Sequence, residues 1–152
     1  MTETSFTDGE IEALKTLAHM IIPPSTEFGL PGAGDKVIFA DILATAQRQG
    51  AAVRDALAAL QALARKEQEQ DFTALDPGER DGVIEVFRRL HDREAEILAT
   101  ITVQCYYRDD RVMASLNMAP RPPHPLGFEI EEGDWSLLNP VRARGQMYRE
   151  TP

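Results

Sequence analysis

The chain has 152 residues, 43% of them apolar and 27% charged. That is one domain's length, with enough apolar material to form a core, which excludes a wholly disordered polypeptide. With 16 Lys and Arg against 25 Asp and Glu, the net charge of −9 argues against nucleic acid and anionic lipid as partners. A single cysteine, Cys105, excludes an internal disulfide, a one-chain thiolate cage and a covalent c-type haem. No apolar run is long enough to span a bilayer. The first residues, MTETSFTDGE, carry neither a basic cluster nor a twin arginine. The chain as read is therefore expected in the cytoplasm, with export alongside a partner to the periplasm as the alternative.

The helical signals come in order. Thr7 and Glu10 have the spacing of a capping box, and Ile11, Leu14, Leu17, Ala18 and Ile21 recur along one helix face behind it. Pro23-Pro24 ends that helix, and PPSTEFGLPGAG, residues 23–34, reads as a turn-rich loop. Asp35 caps a second helix with Val37, Ile38, Ile42 and Leu43 as its apolar positions, closed by Gly50. The alanine-rich stretch from Ala51 places Val53, Leu57, Leu60, Leu63 and Ala64 on one stripe. Asp76-Pro77-Gly78-Glu79 starts another helix, with Val83, Val86, Phe87 and Leu90 on a face. Ile97, Leu98, Ile101 and Cys105 extend the pattern to Tyr106-Tyr107, and the charged run 92–96 leaves one helix or two open. A short helix is expected near Asp110–Leu116. No strand alternation or Asn-Gly hairpin appears. The fold class is all-α: a bundle of four to six helices over residues 1–118.

The final segment, 119–152, holds six of the ten prolines. Its Pro-rich run through Leu126 leans towards an extended polyproline conformation. Phe128, Ile130, Trp135, Leu137, Leu138, Met147 and Tyr148 make it too apolar for a solvated linker. It reads as an irregular Pro/Gly-rich arm that packs on its own bundle, on a partner, or on both. Trp and Tyr favour interface hot spots, so Phe128, Trp135 and Tyr148 are the expected partner-binding anchors, with Tyr106 and Tyr107 next.

Chemistry is harder to find. The glycines of GLPGAG, residues 29–34, follow no strand and close with no Gly-Lys-Ser/Thr, which argues against a phosphate loop. His91 and Glu94 stand three apart, but in the reverse of the di-iron order and without a second copy. His19 lies near a helix C-terminus, where the dipole favours imidazole. His124 sits between prolines. Cys105 falls on an apolar face with no histidine close in sequence. Asp109-Asp110 and Glu131-Glu132 are chain neighbours, which do not face one another as an acid–base pair would. No catalytic, cofactor-binding or metal site is assigned to this chain.

The order of these features resembles a known family. It consists of the Leu17-Ala18 to Ile21-Ile22-Pro23-Pro24 helix end, the Gly29–Gly34 loop, the Ala-Leu-rich helix 51–66 and Asp71-Phe72-Thr-Ala-Leu75-Asp76-Pro77. Cys105-Tyr106-Tyr107-Arg108-Asp109 and a Pro-Gly-Trp tail follow. Together they resemble the gluconate 2-dehydrogenase subunit 3 family, from about Thr7 to the end of the chain. The resemblance implies a small, all-α, non-catalytic subunit of an FAD-dependent sugar, polyol or glycoside dehydrogenase. Its large partner would be a flavoprotein of the glucose-methanol-choline type, which holds the FAD and is matured and stabilised by the small subunit. A multi-haem cytochrome c subunit is a further partner implied for some complexes. Family members often carry a twin-arginine export signal, which this chain as read lacks. A self-contained helical binding or regulatory module is the competing reading.

Overall fold

The computed structural model describes residues 5–120, 127 and 133–144. The chain divides into two compact units, 1–120 and 121–152. The fold is all-α, and among the described residues there is no strand beyond one isolated bridge.

The first unit holds six helices: α1 (Asp8–Ile21), α2 (Lys36–Gln49), α3 (Ala51–Gln68), α4 (Pro77–Leu90), α5 (Asp92–Tyr106) and α6 (Asp110–Ser115). Three of the starts follow directly from local chemistry. Thr7 Oγ1 accepts from the Glu10 amide at 3.3 Å while Glu10 accepts from the Thr7 amide at 2.7 Å. Asp76 and Glu79 form the same reciprocal box ahead of Pro77, whose missing amide costs nothing at a helix start. Asp35 accepts from the Val37 and Ile38 amides at the head of α2. Each such cap contributes about 1 kcal/mol.

The stripes pack as their spacing requires. Leu14, Leu17 and Ala18 of α1, Val53, Leu57, Leu60, Leu63 and Ala64 of α3, and Leu98, Ile101 and Cys105 of α5 are buried. Helices α3 and α5 lie at the centre: α5 packs against α2, α3, α1 and α4, and α3 against α4, α1 and α2. A one-turn 3₁₀ segment, Phe72–Ala74, plugs the end of the bundle with the fully buried Phe72 ring. The Phe72 amide donates to Gln61 Oε1 of α3, and Arg80 of α4 donates to the Phe72 and Thr73 carbonyls. Phe72→Ala at such a site would cost about 3–5 kcal/mol.

Two expected core positions turn outward. Val37 is 63% exposed and Leu90 59% exposed. The 3.6-residue face of α2 runs through Ile38, Phe39, Ile42, Thr45 and Ala46, which leaves Val37 one position off it. Leu90 closes α4 just before the chain turns at His91, beyond the last buried turn. The chain forms two helices here rather than one, and the charged run 92–96 opens the second. His91 ends α4 and begins α5 with φ −131° and ψ 51°, and its ring stacks on Phe87 at 5.5 Å.

In the second unit, Trp135–Leu138 forms a 3₁₀ turn that runs into the four-residue helix α7 (Asn139–Arg142). Asp134 caps the turn by accepting from the Ser136 amide at 2.9 Å, and Pro140 sits in the first turn of α7. This stretch, expected to be irregular, is helical because it carries its own cap and a proline placed where a helix tolerates it. The remaining expectations for the arm, namely the Pro-rich run 121–126, His124, Phe128, Ile130, Glu131-Glu132, Met147 and Tyr148, lie outside the described residues.

Candidate partner-docking surface

The connection from α1 to α2 is the most elaborate in the first unit. Ser25 and Leu30 exchange backbone hydrogen bonds of 3.0 and 2.9 Å as an antiparallel bridge, with Gly29 at φ 62° turning the tip. A positive φ at this position suits glycine, which has no Cβ to clash. The Phe28 amide donates to Ser25 Oγ at 3.4 Å. Below the tip, Ala33 is fully buried and donates its amide to the Ile22 carbonyl at 2.8 Å. Gly32 lies so close to the chain before it that a Cβ there would sit 2.7 Å from the Pro24 nitrogen and 2.9 Å from the Ile22 carbonyl oxygen.

This packing settles what the glycine cluster does. The space that a phosphate would need over the Gly32 backbone is filled by Pro24. The Ala33 and Asp35 amides already donate to the Ile22 and Gly32 carbonyls. Gly32 and Gly34 serve close packing against Pro24 and His19, and Gly29 serves the turn.

Tyr106 at the end of α5 is 5% exposed, and its hydroxyl donates to the Pro31 carbonyl at 3.1 Å. Burial, with the neighbouring Tyr107 and Asp109, raises its phenol above the ordinary value. Tyr106 thus braces the loop from the bundle side. Tyr107 meets it edge-on at 5.3 Å and remains 49% exposed. Of the five expected anchors, Tyr107 and Trp135, the latter 62% exposed, present aromatic surface. Tyr106 turns inward, and Phe128 and Tyr148 fall outside the described residues.

Two polar clusters tie the same end of the bundle. Arg111 of α6 donates to Asp109 at 2.9 Å and to Asp35 at 2.6 Å, so one guanidinium joins the caps of α6 and α2. Arg111 is the main reason both carboxyls are held below the usual range, against the opposing effect of burial. In the second cluster, Arg108 reaches Asp41 Oδ2 at 2.9 Å, Thr45 Oγ1 at 3.1 Å and the buried Cys105 Sγ at 2.9 Å. The Cys105 thiol in turn donates to Thr45 Oγ1 at 3.4 Å. The sulfur is the largest cause that raises Arg108 above its ordinary value. This arrangement staples α5 to α2 and satisfies a buried threonine.

Sequence reasoning did not find Phe28. It is 69% exposed at the loop tip, above every other large apolar side chain in residues 5–120. The only signal available was an aromatic residue inside a turn-rich segment. A separate groove of about 570 Å³ runs between α1, α4 and α5. Leu17, Met20, Ile84 and Phe87 line it, with Asp81, Asp92 and Glu96 among its charged residues. Among the described residues no three His, Cys, Asp or Glu side chains gather as a metal site, and His91 is engaged with Phe87.

The family model described as "Gluconate 2-dehydrogenase subunit 3" matches residues 8–118, nearly the whole first unit. Neither a curated protein nor a solved structure gives a significant match.

Proposed function

Because this chain belongs to the gluconate 2-dehydrogenase subunit 3 family, we propose that it is the non-catalytic small subunit of an FAD-dependent sugar, polyol or glycoside dehydrogenase. In this reading the flavin and the catalytic residues belong to a large flavoprotein partner, and the chain holds that partner folded and loaded. The observation that carries the proposal is the family match over α1–α6. The braced surface at the α5 end of the first unit supports it, because a preorganised face loses little freedom when it docks.

The mechanism is mass action. A subunit that binds only the native flavoprotein stabilises it by about 2.7 kcal/mol at a hundredfold excess over Kd. Tyr107 and Trp135 are the proposed contacts, joined by Phe128 and Tyr148 on grounds of sequence, while Tyr106 acts by holding the loop. Residues 119–152 would enlarge the area buried on the partner. A multi-haem cytochrome c is compatible with the same complex as electron acceptor.

Co-expression tests this. With the chain present, the large subunit should accumulate in soluble, yellow, active form, and without it the flavin content and activity should fall. A large subunit equally soluble, flavin-loaded and active alone would refute the proposal.

A further inference from the structure

We propose that the tip of the 22–35 loop is a docking knob, with Phe28 entering an apolar pocket rimmed by cationic side chains on the flavoprotein subunit. This inference rests on the accessory-subunit reading and adds the surface and the chemistry of contact.

Three observations carry it. The first is exposure: Phe28 leaves 69% of its surface to water. Its removal from water on docking is a favourable term of the size that interface anchors supply. The second is preorganisation. The Ser25–Leu30 bridge, the Ala33–Ile22 hydrogen bond, the Gly32–Pro24 contact and the Tyr106–Pro31 hydrogen bond hold the stem from separate directions. An apolar side chain on a rigid stem keeps its binding free energy, whereas one on a slack loop loses part of it to ordering.

The third is charge. Glu27 adjoins Phe28, is exposed, and has no ion-pair partner among the described residues. A carboxylate beside the entering ring favours a cationic rim on the receiving pocket. It also disfavours the other occupants. An anionic bilayer would repel both Glu27 and a chain of net charge −9. A second copy would bring the same excess of negative charge to the contact.

The test uses the full-length chain and the FAD-loaded large subunit recovered with it from the native host. Phe28→Ala should weaken their association about thirtyfold, the loss typical of an anchor residue. Its melting temperature should stay close to the parent chain's, because most of the Phe28 side chain already lies in water. Glu27→Lys should weaken association about three- to tenfold at low salt, with the difference shrinking as salt is added. If the parent chain binds and Phe28→Ala binds equally well, the knob is wrong and the accessory reading stands. If Glu27→Lys binds as the parent does, the cationic rim is wrong. If the parent chain binds no FAD-loaded subunit, the accessory reading fails and the knob fails with it. Self-association of the parent chain that Phe28→Ala abolishes would assign the tip to a second copy and overturn the proposal.

Discussion

Two connections in the first unit do the same topological work by different means. The chain passes from α2 to α3 through Gly50 alone, at φ 44° and ψ −98°, with its amide bonded to the Ala46 carbonyl at 2.9 Å. From α1 to α2 it takes residues 22–35, and that segment carries its own bridge, a buried alanine and a tyrosine brace. Passing from one helix to the next needs one residue here, so the longer connection is a structure in its own right. It holds the Phe28 tip in place, whereas Gly50 only turns the chain.

The sharpest way to break that comparison is to put a methyl group at each glycine. Gly32→Ala should cost about 2–3 kcal/mol, because its Cβ meets backbone atoms of Ile22 and Pro24 that cannot swing aside. Gly50→Ala should cost about 1–2 kcal/mol, from backbone strain at positive φ alone, since the nearest atom to its Cβ is 3.7 Å away. Thermal unfolding followed by circular dichroism ranks the two. A Gly50→Ala loss larger than that of Gly32→Ala would mean that the loop stem is slack.

Removing the tyrosine brace should have a smaller effect. Tyr106→Phe deletes the hydrogen bond to the Pro31 carbonyl and keeps the ring, for a loss of about 1 kcal/mol. Hydrogen exchange should then quicken at the Leu30 and Ala33 amides and stay unchanged at the Gly50 amide. Equal quickening at all three would show that Tyr106 supports the whole bundle rather than the loop.

Acid supplies the mildest probe. Asp35 and Asp109 are held below the ordinary carboxylate value chiefly by Arg111. A carboxyl depressed in the folded state binds fewer protons there than in the unfolded chain. Its stabilisation is complete above the unfolded value and is lost as pH falls through the folded value. The parent chain should therefore lose stability as pH falls below about 4, whereas Arg111→Gln should be modestly less stable than the parent at pH 7 and draw level with it in acid, so that its decline is shallower. An identical acid limb in both proteins would remove Arg111 as the cause.

Much of the fold was legible because helix signals are local. The boxes at Thr7–Glu10 and Asp76–Glu79 and the cap at Asp35 lie within three residues of what they bond. The α1, α3 and α5 stripes repeat within a few turns, and their periodicity points to one buried face. Val37 and Leu90 misled because a helix end can carry an apolar residue past the edge of the face its neighbours bury. The candidate docking surface was less legible. Tyr106 and Tyr107 look alike in a sequence, yet one is 5% exposed and the other 49%.

By itself the sequence determined an all-helical chain, the helix starts at Thr7, Asp35 and Asp76, and the resemblance to the family whose model matches residues 8–118. Only the tertiary structure decided which apolar groups stay outside and what the glycine loop is for. Those answers depend on the pairs Cys105–Thr45, Tyr106–Pro31 and Arg111–Asp35, which are 60, 75 and 76 residues apart along the chain. Hydrogen bonds across such separations leave no period in the residue order, because they form only after the helices have packed and brought the two ends of each pair within reach.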